Sequence, residues 1–388
     1  MMEFRYRSLV DSLHGFKNTN VPLVAQVENT YTVAGFTDDP GMYYFIPWIA
    51  KTFGISLDSA IHIFFGSMAI MAALISTLCF FLAFKNWMSR LITTFAMFAV
   101  AKYAYELSDV YVASFFAVAS ILPVFILWNR KKYALNSKII LSLIFSGTII
   151  SYCNSIRTNS GMGALLFLFF WILLNRNFSS LNKVVSTSIL FIAMSFPFLH
   201  FYTLEMNRDH YIALNIEGHQ PVNIVHPKWH SIYIGLGYVK NKYGLEYNDS
   251  VATDKIKSID PNIGYCTNEY ERALRKECIM LAKTDFLFIL KNLLAKAYVT
   301  LLRILKFANV GLLLFFYMKP SMRCVFPILV AIAFYSLPGL LVVPFAAYQL
   351  GMITTATIFG VYMISLSLEK YENIIRTLRE LQTKQTSI

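Results

Sequence analysis

The chain has 388 residues, of which 56% are hydrophobic, 16% are aromatic and only 14% are charged. This balance lies outside the range of soluble globular domains and excludes an ordinary soluble fold. The formal net charge of +12 comes largely from lysine and arginine in short connections between apolar runs. It therefore does not indicate a nucleic-acid partner.

Residues 1–55 contain no apolar run long enough to cross about 30 Å of hydrocarbon. We expect them to form an external N-terminal segment with an acidic loop and an interfacial helix. The first twenty residues lack the basic and apolar regions of a signal peptide. A first transmembrane helix is therefore expected to be missing in front of this segment.

The acidic loop lies in "GFTDDPGMYYFIP", residues 35–47, where Asp38 and Asp39 precede a Pro-Gly turn. Carboxylates at a low-dielectric boundary have a raised proton affinity, which suits a general base or a metal ligand. The alternative is a simple turn whose acids cap the following stretch. Both interpretations remain open from the sequence alone.

The rest of the chain predicts an all-α polytopic membrane protein of about nine transmembrane helices with a mainly helical or irregular external insertion. We divide it into a six-helix region at 56–203, an insertion with an interfacial helix at 204–298, a three-helix region at 299–367 and a tail at 368–388. The nine predicted spans are 60–84, 91–105, 109–128, 139–155, 161–175, 184–203, 299–318, 325–341 and 350–367.

Basic residues predict how these spans are oriented. Alternate short connections and the tail hold fourteen lysines and arginines, whereas the opposite short connections hold only Arg157. Because cytoplasmic loops retain positive charge, we predict a multi-pass protein of the cell membrane. Residues 204–285 are then outside, and the C-terminus is cytoplasmic.

Two polar motifs lie at predicted outer ends of spans. In "AKYAYELSD", Lys102, Glu106 and Asp109 share one face if the helix continues, and this face is expected to line a cavity. A Lys–Glu pair reaching the interface is the rival explanation. In "SIRTNSGMG", the guanidinium of Arg157 suits a phosphate, with pairing to lipid headgroups as the alternative.

The insertion contains "HPKWH", with His226, Trp229 and His230. Histidines four apart can bind a metal, and the rings can stack on a sugar, but surface packing explains them equally well. A short helix is predicted over 248–261, and Asn268 with Glu271 predicts a capping box.

A basic stripe follows on the helix after the insertion. Its four residues lie within an arc of about 140° if each residue turns about 100°. For the first two we favour ordinary snorkelling to the interface, and for the last two an anionic partner. They are Lys291, Lys296, Arg303 and Lys306.

The layout resembles multi-spanning glycosyltransferases of the GT-C superfamily, which carry an acidic pair and nearby aromatics in the first external loop. Here "DDPGMYY" matches that loop, and "VVPFAAY", ending in Tyr348, is similar to a Pro-and-Tyr turn between late spans. The resemblance implies transfer of a sugar from a polyprenyl-phosphate carrier in the membrane lipid to a cell-envelope glycan, lipid or protein acceptor, with inversion.

On that resemblance Asp38 or Asp39 is the base, and some relatives also recruit Mg or Mn through these acids. The phosphate-binding candidates are Arg157, Arg303, Lys306 and Lys102. The substrate-binding candidates are Glu106, Asp109, His226, Trp229, His230 and Tyr348.

One departure from the family is that no span precedes the acidic loop. A truncated, inactive remnant or an accessory membrane protein is therefore a rival class. A lipid or sugar transporter or flippase is another, although charges near mid-membrane and internal symmetry would be expected there.

Overall fold

The computed structural model describes residues 3–35, 39–131, 134–215, 228–265 and 267–386. Within these residues the protein is helical except for one β-hairpin, which confirms the all-α class in its main feature. The hairpin was not predicted, since its two strands have only four residues each.

The N-terminal segment forms a small folded unit. Its second helix begins at Pro40, whose fixed φ and missing N–H suit the first helical turn. Its first helix is attached by side chains, since Ser12 Oγ donates to the Tyr43 carbonyl and Lys51 Nζ donates to the Phe16 carbonyl. The elements are α1 (Glu3–Thr19), β1 (Val24–Val27), β2 (Thr30–Val33) and α2 (Pro40–Phe53), and Val24 pairs with Val33 in the antiparallel hairpin.

Ten further helices form the bundle. Six of them, α3, α5, α6, α8, α14 and α15 below, are long and apolar enough to cross a membrane, as expected of a multi-pass membrane protein. The ten are α3 (Leu57–Ala83), α4 (Trp87–Leu107), α5 (Val112–Lys131), α6 (Ser137–Ile156), α7 (Met162–Leu174), α8 (Ser180–Asn215), α12 (Phe286–Ala308), α13 (Val310–Met318), α14 (Met322–Leu341) and α15 (Leu350–Thr386).

The predicted count of nine spans is not confirmed, because three of the predicted runs differ. The run at 91–105 lies in α4, which carries Arg90, Lys102 and Glu106 and is not among the six. Helix α7 has only 13 residues, about 20 Å of rise. The run at 299–318 bends by 78° between α12 and α13.

The insertion has its own apolar core, which includes Tyr233, Leu274 and Leu281. The predicted helix over 248–261 is confirmed as α10. Three predicted boundaries lie inside continuous helices, because α8 runs past residue 203, α12 runs past residue 298 and α15 runs past residue 368. The insertion consists of α9 (Lys228–Gly235), a 3-10 turn (Leu236–Tyr238), α10 (Asp249–Ile259) and α11 (Asn268–Thr284).

Helices α5 and α15 lie at the centre of the bundle. In their most apolar windows 72% and 83% of residues are buried, against 28% for α8 at the periphery. Five parts of the chain meet at one end of this bundle. They are the N-terminal segment, the insertion, the loops that follow α4 and α6, and the loop between α14 and α15. The side-chain contacts described next join them there.

Candidate functional site

Four charged side chains meet at that end, and we call them the acid–arginine cluster: Arg5, Asp39, Asp109 and Arg157. Arg5 Nη1 donates to both carboxylate oxygens of Asp109, at 2.9 and 3.1 Å. Arg5 Nε lies 3.3 Å from Asp39 Oδ2, and Arg157 Nη1 lies 3.9 Å from Asp39 Oδ1. Asp39 is therefore held between two guanidinium groups.

Each member of the cluster is placed by the end of a helix. Asp39 immediately precedes α2, and Arg157 immediately follows α6. Asp109 lies just beyond the left-handed residue Ser108, where α4 ends, and its Oδ1 accepts a 2.7 Å hydrogen bond from the Val110 amide. Arg5 comes from the first turn of α1, so the N-terminal segment completes the cluster.

The cluster is buried and balanced in charge. Arg5 is 6% exposed, Asp39 is 2% exposed and Asp109 is 7% exposed. Buried charges are tolerated when they are paired and hydrogen-bonded. Burial lowers the pKa of the Arg5 guanidinium, but the nearby Asp109 and Asp39 carboxylates more than offset this and leave the pKa raised. Arg5 therefore stays charged.

An aromatic wall connects the cluster to the insertion. The Arg5 and Arg157 guanidinium groups lie 5.9 and 5.5 Å from the centre of the same Tyr111 ring. That ring is 4.9 Å from the ring of Tyr348, whose hydroxyl is 3.0 Å from the hydroxyl of Tyr247. Both arginines thus present a guanidinium next to a surface suited to stacking.

An apolar groove between α6 and α8, which we call the α6–α8 groove, ends beside the cluster. It encloses about 450 Å³, and Pro40, the neighbour of Asp39, lines it together with Asn154 and Ser155. On its α8 side the rings of Phe191 and Phe198 are exposed. An apolar channel open along its side is suited to a lipid chain.

Lys102 and Glu106 do not join the cluster. They form an exposed pair 3.8 Å apart on α4, and Lys102 lines a separate groove with His62. The expectation that Asp109 shares their face is wrong, because α4 ends at Leu107 and the chain then turns at Ser108.

The two deeper basic residues of α12 have different surroundings. Arg303 Nη1 donates to the Pro344 carbonyl and to Gln349 Oε1, in the same loop as Tyr348. Lys306 is exposed and lines a groove between α4 and α15. Their phosphate-binding role remains a prediction.

Of the predicted site residues of the insertion, His230 belongs to a second group, the histidine network: His230, Tyr270, Asp249 and Glu271. His230 Nδ1 lies 2.7 Å from the Tyr270 hydroxyl and Nε2 lies 3.1 Å from Asp249 Oδ1. The hydrogen bond from His230 lowers the pKa of the Asp249 carboxyl. His230 is 3% exposed, so its ring is fully engaged within the insertion.

Glu271 has a different role from the predicted one. The N-cap of α11 is Thr267, whose hydroxyl accepts from the Tyr270 amide. Glu271 instead accepts 2.8 and 3.2 Å hydrogen bonds from the Trp229 and His230 amides. The carboxylate thereby satisfies free N–H groups at the start of α9.

Asp38 and His226 lie outside the described residues. Among the residues that are described, no group of three or more His, Cys, Asp or Glu side chains is arranged to hold a metal ion. The Asp39 oxygens face guanidinium groups, so this carboxylate as placed does not fit a cation.

Sequence reasoning missed Arg5, Tyr111 and Tyr247. Arg5 lies in "EFRYRSLV" beside a second arginine, and nothing local distinguishes the two. Tyr111 follows Asp109 closely, and this neighbourhood is the one signal that could have drawn attention to it.

No protein-family model, curated protein or solved structure matches this chain.

Proposed function

We propose that this protein is a membrane glycosyltransferase that moves a sugar from a polyprenyl-phosphate carrier to a glycan, lipid or protein acceptor on the outer face of the membrane. The observation that carries the proposal is the Asp39 carboxylate, held between Arg5 and Arg157 and one residue from the wall of the α6–α8 groove. It supports the proposal because a base, phosphate-binding cations and a lipid-sized groove are the parts that this reaction needs.

In the proposed reaction the acceptor oxygen attacks the anomeric carbon while its proton passes to the Asp39 carboxylate. The bond between that carbon and the phosphate oxygen breaks, and its electron pair stays on the phosphate. Attack opposite the leaving group inverts the centre. Negative charge develops on the phosphate, where a guanidinium stabilises the transition state most strongly.

Arg157 is the proposed partner of that phosphate. Its side chain is 19% exposed, whereas that of Arg5 is 7% exposed. It is also the weaker partner of Asp39, at 3.9 Å against 3.3 Å. Rotation of Arg157 towards the phosphate would release one oxygen of Asp39 to accept the proton.

The α6–α8 groove is the proposed seat of the polyprenyl chain. Its Pro40 end would place the phosphate near Arg157, and its exposed rings would contact isoprene units. The sugar would then lie towards Tyr111 and Tyr348, whose rings can stack on a pyranose face. In this arrangement the polyprenyl chain, the phosphate and the sugar each contact a separate surface.

The test is sugar transfer by membranes that carry the full chain, supplied with a set of polyprenyl-phosphate-linked sugars. Ser195→Trp fills the groove and should raise the KM for the carrier by at least tenfold. The matched control is Ser188→Trp at an exposed position of the same helix, which should transfer at the wild-type rate. Absence of transfer from every carrier, or equal KM values for the two variants, would reject the proposal.

A further inference from the structure

Helix α12 carries its polar and apolar faces in the opposite arrangement to a water-facing amphipathic helix. Its buried side chains include Asn292, Lys296 and Thr300, spaced four apart on one face. Its exposed side chains include Leu287, which is 75% exposed, and Leu294, which is 60% exposed. The apolar face therefore suits lipid, and the polar face points into the protein.

This arrangement corrects the sequence-based interpretation of Lys296. A snorkelling lysine has an exposed ammonium group, but Lys296 is only 1% exposed. Lys291, five residues earlier on α12, is exposed. The two lysines of one helix thus have opposite environments.

Lys296 and Asn292 have unused hydrogen-bonding capacity. Asn292 Nδ2 donates a 2.7 Å hydrogen bond to the Leu236 carbonyl, but its buried Oδ1 has no partner in the part of the chain that the structure describes. Within those same residues the Lys296 ammonium has neither a hydrogen bond nor an ion pair. One turn of helix therefore presents an ammonium group and an amide oxygen that are both unsatisfied.

The residues around this pair are already engaged. Thr300 Oγ1 donates to the Lys296 carbonyl at 2.9 Å and accepts from Gln349 Nε2 at 2.7 Å. Gln349 in turn accepts from Arg303. This network cannot turn to serve Lys296 without losing its own hydrogen bonds. Since an isolated buried charge is among the most costly groups in a fold, its partner is expected to come from outside the chain.

We propose that Lys296 and Asn292 form a binding site for a phosphate monoester at the junction of α12 with the insertion. The ammonium group donates to phosphate oxygens, and Asn292 Oδ1 accepts from the P–O–H group of the monoanion. A carboxylate or a phosphodiester anion lacks that hydroxyl and leaves Oδ1 unsatisfied. The site is separate from the acid–arginine cluster and does not depend on the proposed transfer activity.

The test measures binding to the purified full-length protein in detergent by ligand-induced shifts in Tm. The probes are farnesyl phosphate, inorganic phosphate and farnesol, which separate a lipid phosphate from free phosphate and from the chain alone. Lys296→Met should weaken phosphate binding by at least about tenfold, the usual effect of losing a hydrogen bond to a charged group. It should also raise the Tm without ligand, because it removes the unpaired charge.

Lys291→Met is the matched control and should bind as the wild type does. Arg157→Gln should retain the part of the shift that depends on Lys296, because its guanidinium belongs to the other site, where a polyprenyl phosphate is also proposed to bind. If Lys296→Met aggregates, Lys296→Gln takes its place. A shift with farnesyl phosphate alone assigns a lipid ligand, and an equal shift with inorganic phosphate assigns free phosphate; either supports the site.

The proposal fails if the wild type shows no shift or if farnesol shifts the Tm as much as farnesyl phosphate does. It also fails if Lys296→Met binds as tightly as Lys291→Met, or if Arg157→Gln alone abolishes binding.

Discussion

The acid–arginine cluster and the histidine network both bury titratable side chains, but they are assembled differently. The hydrogen bonds of the histidine network described above join residues at most 42 positions apart within the insertion. The cluster joins Arg5 to Asp109 across 104 positions and draws on helix α1 and three separate connections. The network satisfies the ends of local helices, whereas the cluster concentrates charge where several elements meet.

This difference suggests how to separate structural from functional polar groups. In the network, hydrogen bonds within the insertion account for both ring nitrogens of His230 and for two amides of α9. In the cluster, Asp39 and Arg157 adjoin a groove and an aromatic wall. Substitutions in the network should therefore change stability, and substitutions in the cluster should change turnover as well.

The largest expected effect is on turnover. Asp39→Asn retains the size of the side chain but removes the base, so transfer should fall by about 10²–10⁴-fold. Steady-state transfer from the carrier measures it. Asp58→Asn, at an exposed position, is the control and should retain full activity. Equal rates for the two variants would show that Asp39 is not the base and only forms part of the turn.

The next effect is on stability. Arg5→Ala removes the guanidinium that pairs with Asp109 and leaves Asp39 with the more distant Arg157, so it should lower the free energy of unfolding by about 3–5 kcal/mol. Denaturant unfolding in detergent measures the loss. Arg7→Ala removes an exposed arginine of the same helix, with a side chain 76% exposed, and should cost less than about 1 kcal/mol. Similar losses of unfolding free energy for both variants would contradict the expectation that the ion pairs of Arg5 stabilise the fold.

Arg157→Ala should reduce turnover by about 10²–10³-fold, as loss of one electrostatic donor does at comparable sites. Arg157→Lys should recover only part of the rate, because an ammonium cannot form the two-point contact of a guanidinium. Rates are measured at saturating carrier. A wild-type rate for Arg157→Ala would remove this residue from the reaction.

A smaller effect is expected in the histidine network. Glu271→Ala leaves two amides of α9 unsatisfied and should destabilise the insertion by about 1–3 kcal/mol. Hydrogen exchange at α9 reports this local change. Glu269→Ala, exposed on the same helix, should leave exchange unchanged.

The smallest effect depends on pH. The pKa of Asp249 is lowered in the folded state by its hydrogen bond from His230, so this contribution to stability is present above the unfolded pKa of about 3.9. It is lost as the pH falls through the folded pKa. Because the Asp249 side chain is 78% exposed, Asp249→Asn should cost less than about 1 kcal/mol at pH 7. The difference in Tm between variant and wild type should shrink as the pH falls below about 3.9.

Only part of the fold and of the candidate site could be predicted from the sequence, and the reason is physical. Asp39 and Arg157 could be selected because local composition marks a charge beside an apolar run. Arg5 could not, since its role arises from a contact with Asp109 that no local pattern encodes. The burial of Lys296 was missed because periodicity reveals a stripe of lysines on α12 but does not reveal which side of the helix faces lipid.

The long separation between Arg5 and Asp109 also constrains how the protein is made. Arg5 is synthesised 104 residues before its partner, a delay on the order of 5 to 20 s at ordinary translation rates. During this time α1 cannot dock in its final place and is free to contact chaperones or the membrane surface. Docking of α1 therefore waits until α3 and α4 have been synthesised, so α1 is not among the first elements to reach its final place.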